Sequence, residues 1–166
     1  MLQPGKREGE AVDLIIARAL HVVSVVVWIG GVGFVTTVLL PNVRTSTPPQ
    51  GRLRAFLQFE RRFAPQARFW VASAGLSGLY LVARLGLWDR FASPHYWWMH
   101  AMVTLWLVFA AMLFLLEPLV LHARLKTLVD TPAGATVFDR MVRLHQALFA
   151  AALVTLLGAV AGSHGL

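Results

Sequence analysis

An uncharged apolar run follows Arg18 and continues to Leu40 (ALHVVSVVVWIGGVGFVTTVLL). A helix needs roughly 20 such residues to cross about 30 Å of hydrocarbon at ~1.5 Å per residue. This stretch alone therefore predicts a membrane-spanning helix. The composition agrees, since 57% of the 166 residues are hydrophobic and only 14% are charged. These values exclude a disordered tail, a secreted disulfide scaffold and an ordinary cytosolic enzyme.

The absence of cysteine excludes thiolate metal sites, iron–sulfur clusters and cysteine nucleophiles. A net charge of +7 could indicate nucleic acid, but in a membrane protein the positions of the basic residues report topology instead. We therefore expect the lipid bilayer as a partner and no nucleic acid. No phosphate loop, nucleotide fingerprint or nucleophile with its base is present, so hydrolytic chemistry is unsupported.

Four apolar segments predict an all-α fold, an integral membrane four-helix transmembrane bundle that forms a single domain over residues 1–166. The predicted spans cover approximately residues 14–40, 69–88, 96–116 and 144–162.

Prolines and a basic segment mark the predicted boundaries. The first span is expected to stop at Pro41, and a polar loop with Pro132 and Gly134 is expected before the fourth. Between the first two spans, RLRAFLQFERRF predicts a short amphipathic helix on the membrane surface that ends before Pro65.

The basic residues are distributed unevenly between the two sides of the predicted bundle. Ten of the 15 Lys and Arg residues fall in the loops after the first and third spans: Arg44, Arg52, Arg54, Arg61, Arg62, Arg68, Arg124, Lys126, Arg140 and Arg143. The positive-inside bias predicts that these loops are cytoplasmic and that both termini face outward, into the periplasm if the membrane is a bacterial inner membrane.

Polar side chains are costly in hydrocarbon, so those inside the spans indicate function or helix contact. At about 100° per residue each span carries one polar or small-residue stripe. The stripes comprise His21, Ser24, Trp28 and Gly31; Ser73, Ser77, Tyr80 and Arg84; His100, Thr104 and Ala111; and His145, Ala152 and Ala159. They predict a bundle whose interior can hold a ligand. Small-residue pairs, among them Gly158 with Gly162 and Ala74 with Gly78, predict close helix contacts.

His21 and His100 each lie a few residues below the predicted outward boundary. The spans that carry them are taken as antiparallel, so that the two imidazoles face each other at a common depth. Paired imidazoles in a helix bundle are typical axial ligands of b-type haem. Arg84 or Arg18 would neutralise the propionates, and Trp28, Tyr80 and Trp98 would cover the ring.

Other residues keep alternatives open. Met99, His100 and Met102 put thioethers beside an imidazole, a set that suits Cu(I), with His21 as a further ligand. His122 and His145 could form a second, inner site, whereas His95 and His164 are expected in solvent or at an outer metal site. In a third interpretation the chain is a cofactor-free subunit whose histidines only join helices.

A charged residue at the inner end of the third span also has two interpretations. Glu117 precedes Pro118 and could relay protons, or it could be a solvated cap near Arg124.

Three segments resemble a known superfamily: LHVVSVVVWIGG in the first span, ASAGLSGLY in the second and WWMH at the start of the third. This pattern is similar to small four-helix membrane proteins that include the copper resistance D (CopD) family and the small membrane protoporphyrinogen oxidase. The resemblance implies a membrane-embedded haem or copper site at His21. It departs from the oxidase branch at Met102, where that branch has Lys, and at RLHQALF, where it has an acidic motif with proline.

The sequence thus predicts a b-type haem protein for membrane electron transfer. Quinone, an outward-facing redox protein or a larger membrane complex is the expected partner. An enzymatic activity, if present, would be that of a haem-dependent membrane oxidoreductase.

Overall fold

The computed structural model describes residues 4–121, 125 and 127–164, and this part of the chain is helical apart from short turns and contains no strand. Helix α1 (Pro4–Phe34) passes through a first π-helical segment (Val35–Leu39) into α2 (Leu40–Ser46). Helix α3 covers Arg52–Arg84, and α4 (Trp97–Ala110) continues as a second π-helical segment (Ala111–Leu121). Helix α5 covers Pro132–Ser163, and short 3₁₀ turns lie at Pro49–Gly51, Leu87–Ala92 and Pro94–Tyr96.

Helices α1 and α3 form the most extensive contact and run antiparallel. Asp13 near the start of α1 contacts Arg84 at the end of α3. The His21 side chain bonds to Ala74 in the middle, and Gly31 lies against the Phe63 ring at the other end. The residue numbers of the contacts fall along α3 as they rise along α1, which shows that the two helices are antiparallel.

The remaining helices follow the same alternation. The Trp106 indole N–H of α4 donates to the Val71 carbonyl of α3 at 2.8 Å, whereas Arg68, earlier in α3, reaches Leu113. Because α1 and α4 are each antiparallel to α3, they run in the same direction. The expectation that the spans carrying His21 and His100 are antiparallel is therefore wrong.

Three helical stretches in the described part of the chain are long and apolar enough to cross a membrane: Gly9–Ser46, Pro94–Pro118 and Pro132–Ser163. They also expose large apolar side chains, such as Leu157, which is 71% exposed. Surfaces of this kind indicate contact with lipid, because soluble proteins avoid large apolar patches. Helix α3 is not among the three, although Leu76 on it is 70% exposed.

The prolines that were expected to end helices lie inside them. The first span continues past Pro41 to Ser46, and the Leu40 N–H bonds to the Val35 carbonyl in the i to i−5 pattern of a π-helix. This wider turn accommodates a residue that has no N–H to donate. The segment RLRAFLQFERRF likewise is no separate surface helix, because α3 continues through Pro65.

Helix α5, which contains the predicted fourth span, begins earlier than the sequence predicted. Pro132 is its first residue and Thr131 is its N-cap, whose hydroxyl accepts a hydrogen bond from the Gly134 N–H at 3.2 Å. Thr is a favourable N-cap and Pro is favourable in the first turn, so the expected loop is a helix start.

Glycines permit the closest helix contacts. At Gly75 the Trp106 ring of α4 occupies the space that a Cβ would take, and Gly158 and Gly162 of α5 receive Trp97 and Trp98 in the same way. Gly30 of α1 has nothing within 4 Å of the Cβ position. The glycines that contact tryptophan rings (Gly75, Gly158 and Gly162) therefore determine how closely the helices approach, whereas Gly30 does not.

We predict that Gly75→Ala lowers the stability of the protein by about 1–3 kcal/mol, because the added methyl displaces Trp106 and its hydrogen bond to Val71. Gly30→Ala is the matched control and should match or slightly exceed wild type, since Ala favours a helix over Gly by ~1 kcal/mol. Thermal unfolding in detergent micelles, followed by tryptophan fluorescence, measures both. Equal midpoints for the two variants would contradict this account of packing.

Single-cysteine labelling can decide whether α3 also crosses the membrane, because the chain has no native cysteine. We expect Thr45→Cys and Thr136→Cys to react with an impermeant maleimide on one side, and Asp89→Cys and Ser163→Cys on the other. This pattern is required if all four long helices cross the membrane, because the four labelled positions then alternate between its two sides along the chain. Labelling of Asp89→Cys on the same side as Thr45→Cys would show that α3 does not.

Candidate functional site

A cavity of about 770 Å³ lies between the long helices, near the end of α3 and the start of α4. Its volume is in the range of small-molecule and cofactor sites. Most of its lining is aliphatic and aromatic, contributed by α1, α3, α4, α5 and the Leu87–Ala92 turn. The polar or sulfur-bearing side chains that line it, besides tryptophan, are His21, Arg90, Met99, Met102 and Thr155.

The His21 imidazole is held by the neighbouring helix. Its Nδ1 lies 2.9 Å from the Ala74 carbonyl oxygen and 3.2 Å from the Ser77 hydroxyl. A carbonyl oxygen can only accept, so Nδ1 carries the hydrogen and donates it. Nε2 therefore keeps its lone pair, and no described residue hydrogen-bonds to it.

This arrangement is the one that metal-binding histidines commonly use. One ring nitrogen donates to a backbone carbonyl, which fixes the tautomer and the ring orientation, and the other is free for a ligand. An Nε2 lone pair can bind a metal or accept a hydrogen bond. It cannot donate to a carbonyl oxygen while the ring is neutral.

Small residues on α3 make room for the imidazole. A Cβ at Gly78 would lie 2.9 Å from the His21 Cε1 atom, so only glycine leaves the ring in place. The small-residue pair that the sequence showed on α3, Ala74 with Gly78, therefore makes room for the His21 ring.

Aromatic side chains form much of the cavity wall: Trp28, Trp88, Phe91, Trp98 and Trp106. The indole N–H of Trp106 is satisfied by Val71, whereas that of Trp28 is buried and has no partner among the described residues. A buried unpartnered donor is costly, so an occupant that offers an acceptor to Trp28 would stabilise the site.

The structure separates the two histidines that were expected to act together. His100 is exposed and does not line the cavity, and its ring contacts Phe91 edge-on at a centroid distance of 5.6 Å. His21 and His100 lie toward the same end of the bundle, but only His21 lines the cavity. The expected facing pair is therefore not formed.

Tyr80 and Arg84, which were expected to contact a haem, instead interact with Asp13. The Tyr80 hydroxyl donates to Asp13 Oδ2 at 2.8 Å, and Arg84 lies 3.5 Å from the same oxygen. Neither residue lines the cavity, whereas Trp28, Trp98 and Met102 do. Arg18 is exposed and does not line it either.

The other histidines are engaged locally. His145 donates from Nδ1 to the Met141 carbonyl at 2.9 Å, and its ring contacts Phe56. His95 contacts the rings of Tyr96 and Trp98, and His164 bonds to the Val160 carbonyl. His122, like Arg124, lies outside the described residues, and no group of three His, Asp or Glu within them could hold a metal ion.

A second polar cluster lies between the middle of α3 and the second π-helical segment. Arg68 forms a 2.9 Å ion pair with Glu117, which is 5% exposed, so Glu117 is a buried residue and no solvated cap. The pKa of the Glu60 carboxyl is raised to about 7, chiefly by burial and also by the negative charge of Glu117, while the Arg68 charge lowers it.

Sequence reasoning missed several residues of the cavity. The sequence analysis assigned no role to Arg90, yet it lines the cavity and its guanidinium carbon lies 5.0 Å from the centroid of the Tyr96 ring. Trp106 follows Met99 and Met102 at helical spacing, so the periodicity of α4 contained the signal for it. The Ala74 carbonyl carries no sequence signal.

The fold and cavity define an all-helical protein with apolar, membrane-compatible helices and a partly open cavity of ligand size. No protein-family model matches the chain, and no curated protein or solved structure shows significant similarity to it.

We predict that His21 is in the Nδ1–H tautomer, because the Ala74 carbonyl is its acceptor. Nitrogen-15 NMR of histidine-labelled protein should show one resonance pair of this tautomer that disappears in His21→Gln. Ser77→Ala should leave it in place, since the Ala74 bond remains. An Nε2–H signal for His21 would contradict the assigned geometry.

Proposed function

We propose that this protein is a membrane-embedded b-type haem protein for electron transfer, with His21 as an axial ligand. The observation that carries the proposal is the His21 imidazole, which lines a cavity of about 770 Å³ and whose Nδ1 hydrogen bond to Ala74 leaves the Nε2 lone pair available. The resemblance to the CopD superfamily, which implies a haem or copper site at the same histidine, agrees with it.

The rest of the lining fits a haem without His100. Met99 and Met102 line the cavity, and the thioether of either would serve with His21 as a ligand to the iron, a combination that occurs in cytochromes. Arg90 replaces the expected Arg84 as the cation for the propionates, since Arg84 is engaged by Asp13. The Trp28 indole N–H supplies a donor for a propionate or another acceptor.

Copper is the second candidate, and the volume and the aromatic lining of the cavity favour haem over it. His21, Met99 and Met102 would suit Cu(I), but a single ion needs a compact ligand set. The space is large and has several aromatic walls, as a flat apolar group requires.

Quinone is disfavoured as the group that His21 binds. A quinone carbonyl needs a hydrogen-bond donor, and neutral His21 presents an acceptor at Nε2. Quinone instead remains a proposed electron-transfer partner, together with an outward-facing redox protein or a larger membrane complex.

A bound haem would supply one-electron chemistry. The protein would orient His21 through Ala74, exclude water with the aromatic walls and place Arg90 near the propionates, which together tune the potential. In this proposal α3 is a fourth membrane-spanning helix, because its apolar part contacts α1 at the depth of His21. The basic loops face the cytoplasm of a bacterium, and the cavity lies toward the periplasm.

The experiment is a reduced-minus-oxidised spectrum of the purified protein with a haem assay. Wild type should show a b-type α band and one haem per chain. His21→Ala should lower haem content at least tenfold, whereas His100→Ala, the matched control, should retain it. Met99→Leu and Met102→Leu should each be tested, and one of them should change the spectrum to that of a haem with a single axial protein ligand.

Added imidazole distinguishes a lost ligand from a lost fold. It should restore haem binding to His21→Gly, because the free base can occupy the space of the missing side chain. A colourless wild-type protein that binds Cu(I) would favour copper handling. A colourless, metal-free protein that co-purifies with other subunits would favour the cofactor-free role.

A further inference from the structure

The wall of the cavity is interrupted between α3 and α4. Three large aliphatic side chains line the cavity and also lie at the protein surface: Leu76, Leu79 and Val103, which are 70%, 56% and 42% exposed. The two leucines lie on α3, and the valine lies on α4. Because these residues border both the interior space and the outside, the cavity opens sideways between the two helices.

Two contacts limit this lateral opening. At its deeper end the Trp106 indole N–H of α4 donates to the Val71 carbonyl of α3 at 2.8 Å. At its outer end Phe91, in the turn that follows α3, contacts the His100 ring of α4. His100 and Trp106 are six residues apart, which corresponds to ~9 Å along a helix. Within the described part of the chain, no hydrogen bond, ion pair or ring contact joins residues 76–84 of α3 to α4.

The lateral opening lies among apolar parts of the bundle. Val103 belongs to the candidate span Pro94–Pro118, and α3 packs on the candidate span Gly9–Ser46 through the hydrogen bond between His21 and Ala74. Exposed aliphatic side chains are unfavourable in water but not in lipid. With α3 as a fourth membrane-spanning helix, as proposed above, the opening faces hydrocarbon.

The Leu87–Ala92 turn covers the end of the cavity toward the aqueous phase. Several of its side chains line the cavity: Leu87, Trp88, Arg90 and Phe91. The Arg90 guanidinium lies over the Tyr96 ring, and the Phe91 ring lies against His100. These contacts hold bulky groups across this end, whereas the edges of the lateral opening are aliphatic.

We propose, on the basis of the membrane position proposed for α3, that the cavity takes up its ligand from the bilayer through the lateral opening. The ligand is then a lipophilic molecule dissolved in the membrane. A flat amphiphile such as haem meets this requirement, whereas a hydrated metal ion does not, since an unpaired ion is strongly disfavoured in hydrocarbon. Inside the cavity, the unpartnered Trp28 N–H and the His21 Nε2 lone pair offer interactions to the polar part of such a molecule.

Spin labels can report which phase the opening faces, because the chain has no native cysteine and each variant carries one label. In liposomes, a label at Leu79→Cys should collide often with oxygen, which concentrates in hydrocarbon, and rarely with a water-soluble nickel chelate. Leu157→Cys, on an exposed face of α5 that does not line the cavity, is the lipid control. Asp89→Cys, exposed in the turn, is the aqueous control.

Reaction of a cysteine inside the cavity tests the path itself. Thr155 lines the cavity from α5 and is 6% exposed. A pyrene maleimide dissolved in the bilayer should label Thr155→Cys faster than an impermeant maleimide does. Adding Val103→Trp should slow this labelling by about fivefold or more, because the indole fills space that the reagent must pass. Val108→Trp, at a similarly exposed position of α4 that does not line the cavity, is the matched control and should leave the rate unchanged.

Four results would overturn the proposal. The first is a Leu79→Cys label that meets the nickel chelate as often as the Asp89→Cys label does. The second is faster labelling of Thr155→Cys by the impermeant maleimide, which would assign the entrance to the aqueous side. The others are equal rates with Val103→Trp and Val108→Trp, and no reaction with the pyrene reagent. None of these measurements uses haem, so a colourless protein would leave the lateral entrance to be confirmed or rejected separately.

Discussion

The contact between α1 and α3 determines where most of the other groups lie. Apolar side chains gain little by associating in lipid, so close backbone approach and interhelical hydrogen bonds must hold such helices together. Both occur in one place here: Gly78 allows the His21 ring to lie on α3, and the Ala74 carbonyl accepts its proton. This bond is the reason that Nε2 is free, and it therefore links the packing of the fold to the chemistry of the cavity.

Proline has a related effect at two positions. A helix in hydrocarbon must satisfy its backbone internally, and a proline leaves one carbonyl without its donor. Near Pro41 the chain widens into a π-helical turn, and near Pro118 a side chain from another helix supplies the missing donor. The second solution brings the partly buried Arg68 side chain against the buried Glu117 carboxylate, and the two form an ion pair. The charged cluster thus follows from the proline.

The sequence predicted the helical class and the approximate positions of the apolar segments, because hydrophobic run length reports them directly. It placed helix ends at Pro41 and Pro65, where the structure continues, since local proline rules do not include the compensation that a neighbouring helix can give. Within the site it identified His21, Trp28, Trp98 and Met102 as cavity residues. It failed for His100, because a shift of one residue turns a side chain by about 100° and only tertiary packing fixes that angle.

Glu60 lies too far from Gly78, at the His21 end of the cavity, for one added charge to influence the other strongly. Glu60 and Gly78 are separated by 18 positions on α3, which corresponds to ~27 Å along a helix. At an effective dielectric constant of about 20, one added charge at that distance contributes ~0.6 kcal/mol, which is less than about half a pKa unit. A charge added in the cavity would therefore change the pKa of Glu60 only slightly. Strong coupling between the two ends would require a movement of α3, and the Arg68–Leu113 hydrogen bond is the contact that such a movement would break.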